Sequence, residues 1–234
     1  MTNKKRLLTF LIMAATSTAA TANEWTGEGE VGFTSTSGNT DSESLNAKLG
    51  IGLEHNKWKH EAELSALKSS DSGVDSADRM EFKEKSQYQF GKKTYAYVAL
   101  RHEEDEFSGF DHQSMISIGL GYPLIAAEKH KLDGTLGIGY RETETDLGIE
   151  EQEAIYNGGL KYKYTISKTA AFNQNVYVES GDSNTYSLSE TFLKLVVNGN
   201  LSAKMGYEVK HNSDVPAGVD KTDTKTTVTL VYGF

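Results

Sequence analysis

Residues Thr222 to Phe234, TDTKTTVTLVYGF, carry the pattern that decides the fold. Val228, Leu230, Tyr232 and Phe234 alternate with polar or small residues, so apolar side chains recur at every second position. Because successive side chains of a β-strand point to opposite faces, this spacing predicts a strand with one apolar and one polar face. Chain ends of soluble domains usually fray, but here the alternation continues to Phe234. The end of this strand is therefore predicted to be used, and not to fray.

An amphipathic strand that closes on an aromatic residue resembles the C-terminal signal of bacterial outer-membrane barrels. Tyr232 and Phe234 occupy the aromatic positions of such a signal. The resemblance implies that the barrel-assembly machinery recognises this strand, and that this machinery is a partner of the chain.

The first residues have the three parts of a secretory signal peptide. Basic residues at positions 4–6 precede a short apolar run from Leu7 to Ala15, and Ala20 and Ala22 supply the small residues of a cleavage site. The apolar run is too short to span a bilayer as a helix. We predict a signal peptide over residues 1–22, cleavage between Ala22 and Asn23, and a single mature domain over residues 23–234.

Charge and cysteine content exclude several classes of protein. Cleavage would remove three basic residues and no acidic ones, which takes the net charge from −9 to −12. Such a surface does not suit nucleic acid, which requires a basic face. The chain has no cysteine, so an exported fold of this kind cannot be held by disulfides. A closed, hydrogen-bonded barrel would meet that requirement.

The same alternation recurs in about twelve segments of the mature chain. Short turns follow the second, fourth, eighth and tenth segments, and longer acidic stretches follow the third, fifth, seventh and eleventh. The longer stretches are residues 69–78, 103–111, 142–153 and 212–221. Outer-membrane barrels have short periplasmic turns and longer outer loops. The sequence predicts an all-β, closed, antiparallel up-and-down transmembrane β-barrel with short periplasmic turns and longer acidic extracellular loops.

Two segments depart from the pattern. Glu84 falls on the apolar face of the fourth predicted strand, between Phe82 and Tyr88. In the tenth predicted strand, Thr185–Val197, Phe192 and Leu193 are adjacent, which favours a β-bulge or a change of phase at that point.

A soluble, lipocalin-like barrel would turn its apolar faces inward, whereas a membrane barrel turns them outward. About twelve strands enclose a wide interior that the Leu, Ile and Tyr residues of these faces would not fill. Aromatic residues such as Trp25, Trp58 and Phe234 also stand near the predicted periplasmic turns, as in an interfacial girdle. We therefore expect Leu49 and Ile118 to face lipid, with outer-membrane lipid and lipopolysaccharide as surroundings.

Three stretches resemble the YdiY-like family of salt-induced outer-membrane proteins. They are GFTSTSGNTDS at 32–42, LRHEEDEFSGFDHQSMISIGLGYPL at 100–124 and HNSDVPAGVDKTDTKTTVTLVYGF at 211–234. The likeness extends over essentially the whole mature chain. It implies a bacterial outer-membrane location, and the family label links the chain to envelope or osmotic stress. It brings no reaction, ligand or catalytic residue.

The polar faces of the predicted strands carry both signs of charge. Acidic candidates for lining the lumen lie in the first three strands, and basic ones lie in the seventh, eighth and eleventh. They are Glu28, Glu30, Glu54, Glu61, Glu63, Arg141, Lys161, Lys163, Lys204 and Lys210. Two separate walls of charge would select ions in a pore, whereas paired walls would close the barrel. A small channel for ions or small polar solutes and a non-conducting structural or stress-adaptation barrel both remain open.

Other chemistry is weaker in this sequence. The acids at 103–106 and 142–153 offer hard oxygen ligands for divalent cations but lack EF-hand spacing. A lipid- or peptide-hydrolysing enzyme would need a His-Ser pair or a His with acids. The nearest approaches are His112 with Ser114, His211 with Ser213, and His112 with Asp105 and Asp111. We predict no enzyme, no catalytic residue, no cofactor and no dedicated metal site.

Overall fold

The computed structural model describes residues 24–36, 42–72 and 74–234. The predicted signal peptide and its cleavage site at Ala22–Asn23 lie outside these ranges. The strands are β1 (Glu24–Thr36), β2 (Ser42–His55), β3 (Trp58–Asp71), β4 (Val74–Gln89), β5 (Tyr95–Asp105), β6 (Phe110–Ala126), β7 (His130–Thr145), β8 (Glu150–Thr165), β9 (Ala170–Ser180), β10 (Thr185–Asn198), β11 (Leu201–Asn212) and β12 (Thr222–Gly233). Within the described ranges, no helix has the length and apolarity needed to cross a membrane.

Each strand pairs antiparallel with its neighbours in sequence, and β12 pairs with β1 to close the barrel. The closing seam aligns Glu28 with Gly233 and Val31 with Leu230. It is extended by reciprocal backbone bonds, from Gly27 N–H to the Phe234 carbonyl at 2.7 Å and from Phe234 N–H to the Gly27 carbonyl at 2.9 Å. The predicted all-β, closed, up-and-down, twelve-stranded barrel is confirmed.

The apolar faces of the strands point outward. Leu49, Ile118, Ile138 and Leu230 remain 44–56% exposed, whereas Arg141 is 1% exposed on the inner face. A water-soluble barrel would show the reverse distribution, and an apolar belt of this size is not stable in water. The apolar belt therefore matches the outer surface of a membrane barrel, and the polar faces form a charged lumen.

The two ends of the barrel differ in their connections. One end, called here the terminal end, holds Glu24, Phe234 and the turns 56–57, 90–94, 127–129, 166–169 and 199–200. The other, called the distal end, holds the described connections 106–109, 146–149, 181–184 and 213–221. The prediction of long acidic loops after the third, fifth and seventh strands is wrong, because strand pairing continues through those acidic segments. Residues 213–221 form a long connection, as expected.

Of the two segments that depart from the alternation, the structure contradicts the prediction for one and agrees with that for the other. The β10–β11 register runs unbroken past Phe192 and Leu193 and shifts between Val196 and Asn198, so the bulge predicted at 192–193 is wrong. Phe192 faces the lumen, where the Lys204 ammonium lies 4.6 Å from its ring centroid. Glu84 does lie on the outer face, level with Ala62 and Leu100 of the adjacent strands.

Aromatic rings collect on the outer face near the terminal end. Trp58 and Tyr88 are direct neighbours across β3 and β4, with ring centroids 4.9 Å apart. The other exposed rings at this end include Trp25, Phe90, Tyr122, Tyr232 and Phe234. Aromatic girdles of this kind mark the level of a membrane interface in outer-membrane barrels.

Candidate functional site: the barrel lumen

The distal half of the lumen is crossed by ion pairs between strands that are not neighbours. We call this group the distal cluster; it consists of Arg79, Arg101, Glu103, Glu179, Glu208 and Lys210. Lys210 on β11 pairs with Glu103 on β5 and lies 3.2 Å from Asp105. Because β5 and β11 stand on opposite sides of the twelve-strand ring, this pair spans the whole lumen.

Arg101 forms the second link across the lumen. Its Nη2 donates to Glu179 Oε2 on β9 at 2.8 Å, and its guanidinium lies 4.3 Å from the ring centroid of Tyr186 on β10. Glu179 is completely buried, and Arg141 on β7 lies 3.6 Å from the same carboxylate oxygen. Two guanidinium groups thus share one buried carboxylate.

Arg79 forms the third link. Its Nη2 donates to Glu208 Oε1 on β11 at 3.0 Å, and Lys225 holds the other oxygen of Glu208 at 2.9 Å. Around this pair the free space is only about 40 Å³. Side chains therefore fill the lumen at this level.

Desolvation makes these pairs interdependent. Removing a charge from water costs several kcal/mol, which is recovered only while its partners stay in place. Arg101, Glu103 and Lys210 are all at least 95% buried. Loss of one partner would leave an uncompensated charge in a narrow space, so the distal cluster resists partial opening.

The distal connections pack over this cluster. A Cβ atom on Gly109 would lie 2.9 Å from Val219 Cγ2 and 3.1 Å from Pro216 Cδ, which places the 213–221 connection against the 106–109 turn. Asp146 N–H donates to the Gly109 carbonyl at 3.3 Å. The 213–221 connection therefore reaches the 106–109 turn on the other side of the distal mouth.

The terminal half of the lumen is open by comparison. It holds a cavity of about 500 Å³, bounded on the distal side by Arg101 and Tyr186. Its lining includes charged residues of both signs, namely Glu28, Glu61, Glu63, Lys83, Lys85, Asp133, Lys161 and Glu190. The cavity extends to Thr26 and Gly52 near the terminal end.

Two tyrosines from β5 narrow this cavity on one side. Tyr97 donates to Asn157 on β8 at 2.7 Å, and Tyr95 donates to Asp133 on β7. Both rings lie flat against the inner face of β6, where Gly119 and Gly121 leave room for them. A side chain at either glycine would run into a tyrosine ring.

Two lysines of the cavity have no carboxylate within ion-pair distance among the described residues. Lys85 Nζ lies 4.5 Å from the centroid of the Tyr97 ring and 5.6 Å from that of Tyr95, which are cation–π distances. Lys161 lines the same cavity from β8. Within the part of the chain that the structure describes, the open half thus contains lysines without a carboxylate partner, whereas the basic residues of the distal cluster are all paired.

The acidic candidates predicted from sequence all find basic partners. Glu30 accepts from Lys204 at 2.8 Å and from Thr229 at 2.7 Å, and Glu28 pairs with Lys194. The remaining pairs lie along the wall between adjacent strands or within one strand: Glu63 with Lys48 at 3.0 Å, Glu61 with Lys59 at 3.1 Å and Glu54 with Lys59 at 3.5 Å. The acids of β1 to β3 are therefore not a free negative wall.

The basic candidates divide into two groups. Arg141, Lys204 and Lys210 are bound to carboxylates, with Arg141 contacting Glu153 and the Asn184 carbonyl. Lys161 lines the cavity, and Lys163 is exposed near the terminal end. Among the described residues, Glu30 and Lys204 are the one pair that joins the two predicted walls of charge. The other predicted acids pair with Lys48, Lys59 and Lys194, and Arg141 and Lys210 pair with acids outside the predicted set.

Sequence reasoning missed most of the distal cluster. Arg101 and Glu179 are not among the residues predicted to line the lumen, and Glu103 falls in the stretch 103–111 that is predicted as a loop. The signal was present, because the period of two continues from Tyr97 through Arg101 and Glu103 to Asp105. What the period does not give is which distant strand each side chain reaches.

The outward-facing acids at the distal end surround two histidines. Ligand atoms of Asp111, His112 and Glu144 lie within 4.8 Å of one another, and the His112 and His102 ring centroids are 5.9 Å apart. The suggested His112–Ser114 pair does not form, because Ser114 Oγ is bonded to His102 Nδ1 at 2.8 Å.

The other suggested catalytic groups come together only in part, since Asp111 lies 3.5 Å from His112 but the remaining partners are apart. His211 is bonded to Thr222 at 2.8 Å, whereas Ser213 Oγ donates to Asn184 at 3.2 Å. Asp105 points into the lumen towards Lys210, away from the outward-facing His112. None of these groups forms the arrangement that a nucleophile and its base require.

Two solved structures share this architecture. A NanC porin structure matches with a TM-score of 0.52 and 8% identity, over 90% of this chain and 98% of that one. An outer membrane channel from Pseudomonas putida F1 matches with a TM-score of 0.56 and 11% identity, over 92% of this chain and 97% of that one. At these identities the likeness concerns the fold, which is that of outer-membrane barrels.

Sequence comparison identifies the family. The Escherichia coli (strain K12) protein described as "Uncharacterized protein YdiY" is 24% identical over 218 residues, which cover 92% of this chain and 86% of that protein. Residues 29–234 match the family model described as "Protein of unknown function, DUF481". The YdiY-like resemblance noted in the sequence is thereby confirmed, and the chain belongs to the DUF481 family.

Proposed function

We propose that this chain is a bacterial outer-membrane barrel that is closed to solutes in the conformation described, and that its role is structural or stress-adaptive. The apolar outer face and the barrel fold support the location. The signal peptide at residues 1–22 would direct export, and the strand ending in Tyr232 and Phe234 would be recognised by the assembly machinery. The terminal end then lies in the periplasm and the distal end faces outward.

The observation that carries the closed state is the distal cluster. Lys210 reaches Glu103 across the full width of the barrel, and Arg101 reaches Glu179 beside it. With about 40 Å³ of free space near Arg79, a solute would have to displace buried ion pairs in order to pass. The function requires no catalytic step.

In this role the outer carboxylates at the distal end would face lipopolysaccharide. Glu104, Glu142 and Glu144 project outward at this level, beside His102 and His112. Divalent cations would bridge these carboxylates to anionic lipid headgroups, since carboxylate oxygens are ligands that Ca²⁺ and Mg²⁺ prefer.

A second candidate is a channel for ions or small polar solutes that opens when the distal cluster rearranges. The cavity of about 500 Å³ favours it, because a purely structural barrel has no need of a polar cavity with unpaired lysines. Lys85 and Lys161 would then favour anions in the open state.

Planar-bilayer recording tests these alternatives. The folded wild-type barrel should show no sustained unit conductance, and the double variant Arg101→Ala/Glu179→Ala should conduct, because both charges of a spanning pair are removed together. The matched control is Glu54→Ala/Lys59→Ala, an exposed pair at the terminal end, which should remain silent. Steady wild-type conductance whose selectivity changes in Lys161→Glu/Lys163→Glu would contradict the closed state and establish the channel.

A further inference from the structure

Glu84 is an acidic residue on the apolar outer face of the barrel. It lies on β4 between Phe82 and Ser86, both of which face outward, and its neighbours in register are Ala62 and Leu100. An ionisable side chain on a lipid-facing surface is costly, and such residues usually serve a function. No Lys, Arg or His among the described residues forms an ion pair with Glu84.

Glu84 belongs to a hydrogen-bonded group that runs towards the terminal end. Ser86 Oγ donates to Glu84 Oε1 at 2.6 Å, and His60 Nδ1 lies 2.7 Å from the same hydroxyl. His60 and Ser86 are direct partners across β3 and β4. We call Glu84, Ser86 and His60 the outer trio.

The outer trio adjoins the aromatic girdle. Trp58 stacks on His60 with ring centroids 5.7 Å apart and planes 7° from parallel, and it also contacts Tyr88. Polar groups therefore lead from the girdle at the interface into the apolar belt. In the proposed orientation, the outer trio lies at the depth at which phospholipid headgroups meet acyl chains.

An apolar groove begins beside the outer trio. It has a volume of about 1370 Å³ and extends from Trp58, Ser86 and Tyr88 across the outer face of β5 to β9. Its outward-facing lining includes Val98, Leu120, Tyr122, Leu136, Leu160 and Val176. Apolar grooves with a few convergent polar groups at one end are typical of ligand sites.

We propose that the outer trio and the groove together bind one phospholipid whose headgroup carries a primary ammonium, with the ammonium at Glu84 and an acyl chain in the groove. The proposal rests on the proposed membrane location and orientation. The carboxylate of Glu84 supplies the complementary charge, and Ser86 occupies only one of its two oxygens. Lipid binding also explains why an acid without a cationic partner is kept on this face.

The geometry favours binding over hydrolysis. In a serine hydrolase the histidine takes the serine proton and an acid orients the histidine. Here the Ser86 proton points to Glu84, and His60 packs on the Trp58 ring with no carboxylate partner among the described residues. The serine thus holds the carboxylate in place.

Native mass spectrometry after extraction from nanodiscs containing equal amounts of phosphatidylethanolamine and phosphatidylcholine tests the site. These lipids share acyl chains and phosphate but differ in the N–H donors of the headgroup. The wild type should retain phosphatidylethanolamine roughly ten-fold over phosphatidylcholine, which corresponds to about 1.4 kcal/mol. Glu84→Gln, which keeps the shape and removes the charge, should abolish that preference.

Two further variants separate the headgroup from the groove. Asp78→Asn, which removes a carboxylate paired with Lys68 at the distal end, should keep the preference and serves as the matched control. Gly158→Leu places a side chain in the groove against Leu136 and should lower retention of both lipids. Heat-dependent gel mobility verifies that each variant is folded.

Several outcomes would overturn the proposal. Equal retention of both lipids by the wild type, or an unchanged preference in Glu84→Gln, would eliminate the site. A Glu84-dependent dimer would show that a second copy covers this face, and fatty-acid release lost in Ser86→Ala would show hydrolysis. A barrel that inserts into nanodiscs without lipid preference refutes only this site, whereas one that fails to insert or that conducts refutes the proposed function.

Discussion

The two halves of the lumen use the same kinds of charged residue with opposite results. In the distal half the pairs join strands far apart in the ring, such as β5 with β11, and the remaining space near Arg79 is about 40 Å³. In the terminal half Lys59 pairs with Glu54 on the adjacent strand β2 and with Glu61 on its own strand, beside a cavity of about 500 Å³.

The difference shows that a barrel of this size is closed by ion pairs that span the lumen, and not by the number of charged residues that line it. The distal half contains Arg79, Arg101 and Arg141, whose rigid guanidinium groups offer several donors to carboxylates on different strands. Lysines in the terminal half mostly fold back onto their own wall. Stability measurements on variants of the two halves test this difference.

The largest effect is expected from Glu179→Ala in the distal cluster. The substitution leaves Arg101 and Arg141 buried without their shared carboxylate, which should lower the free energy of unfolding by about 3–5 kcal/mol. Urea unfolding in detergent, followed by tryptophan fluorescence, measures it. Glu179→Gln keeps the volume and should also destabilise, and a loss below about 1 kcal/mol in both variants would mean that the cluster is hydrated.

A smaller loss is expected from Gly121→Ala in the terminal half. The new methyl group would enter the space of the Tyr95 ring and disturb its bond to Asp133, at a cost of about 1–3 kcal/mol. The same unfolding assay applies, with Gly29→Ala as the control because a Cβ there meets open space. Equal stability of the two variants would contradict the close packing of Tyr95.

A double-mutant cycle on Lys210→Met and Glu103→Gln should reveal coupling of about 0.5–3 kcal/mol, since the two groups are in contact across the lumen. Each single variant leaves the other group with only its second partner, Asp105 for Lys210 and Arg101 for Glu103, so each already loses the shared contact. The double variant loses that contact once and should be more stable than the sum of the single losses predicts. Strict additivity of the unfolding free energies would show that the two side chains do not meet in solution.

The smallest effect is expected from Glu54→Ala at the terminal end. Its pair with Lys59 is largely exposed, and Lys59 keeps Glu61 as a second partner, so the change should be about 0–1 kcal/mol. The measurement is again urea unfolding, repeated at high salt to screen the pair. A loss comparable with that of Glu179→Ala would remove the distinction between the two halves.

The fold could be predicted from the sequence because the barrel and its apolar outer face follow from the alternation of apolar and polar residues along each strand. Alternation places Leu49 and Ile138 on one face and Arg141 on the other, whatever their distant neighbours are. The strand ends were harder to predict, since acids at a barrel rim look like loop residues. Glu153 lies in such a stretch, yet it points inward to Arg141.

Only part of the lumen site could be predicted from the sequence, because contacts across the lumen depend on the stagger and shape of the closed barrel. Lys210 was predicted to line the lumen, but its partner Glu103 was not. The sequence does not reveal the outer trio for the same reason. His112 and Ser114 are close in the sequence, whereas His60 meets Ser86 only through the register of β3 and β4.

The closing seam has a practical consequence for anyone labelling this barrel. Phe234 uses both its N–H and its carbonyl on Gly27, and its ring lies over the space that a side chain at Gly27 would need. An affinity tag or fluorophore fused after Phe234 would strain the backbone hydrogen bonds with Gly27 that extend the closing seam. On the opposite rim, Ala217 and Gly218 are the better place to attach a reporter, because they are exposed while Pro216 and Val219 beside them pack against the 106–109 turn.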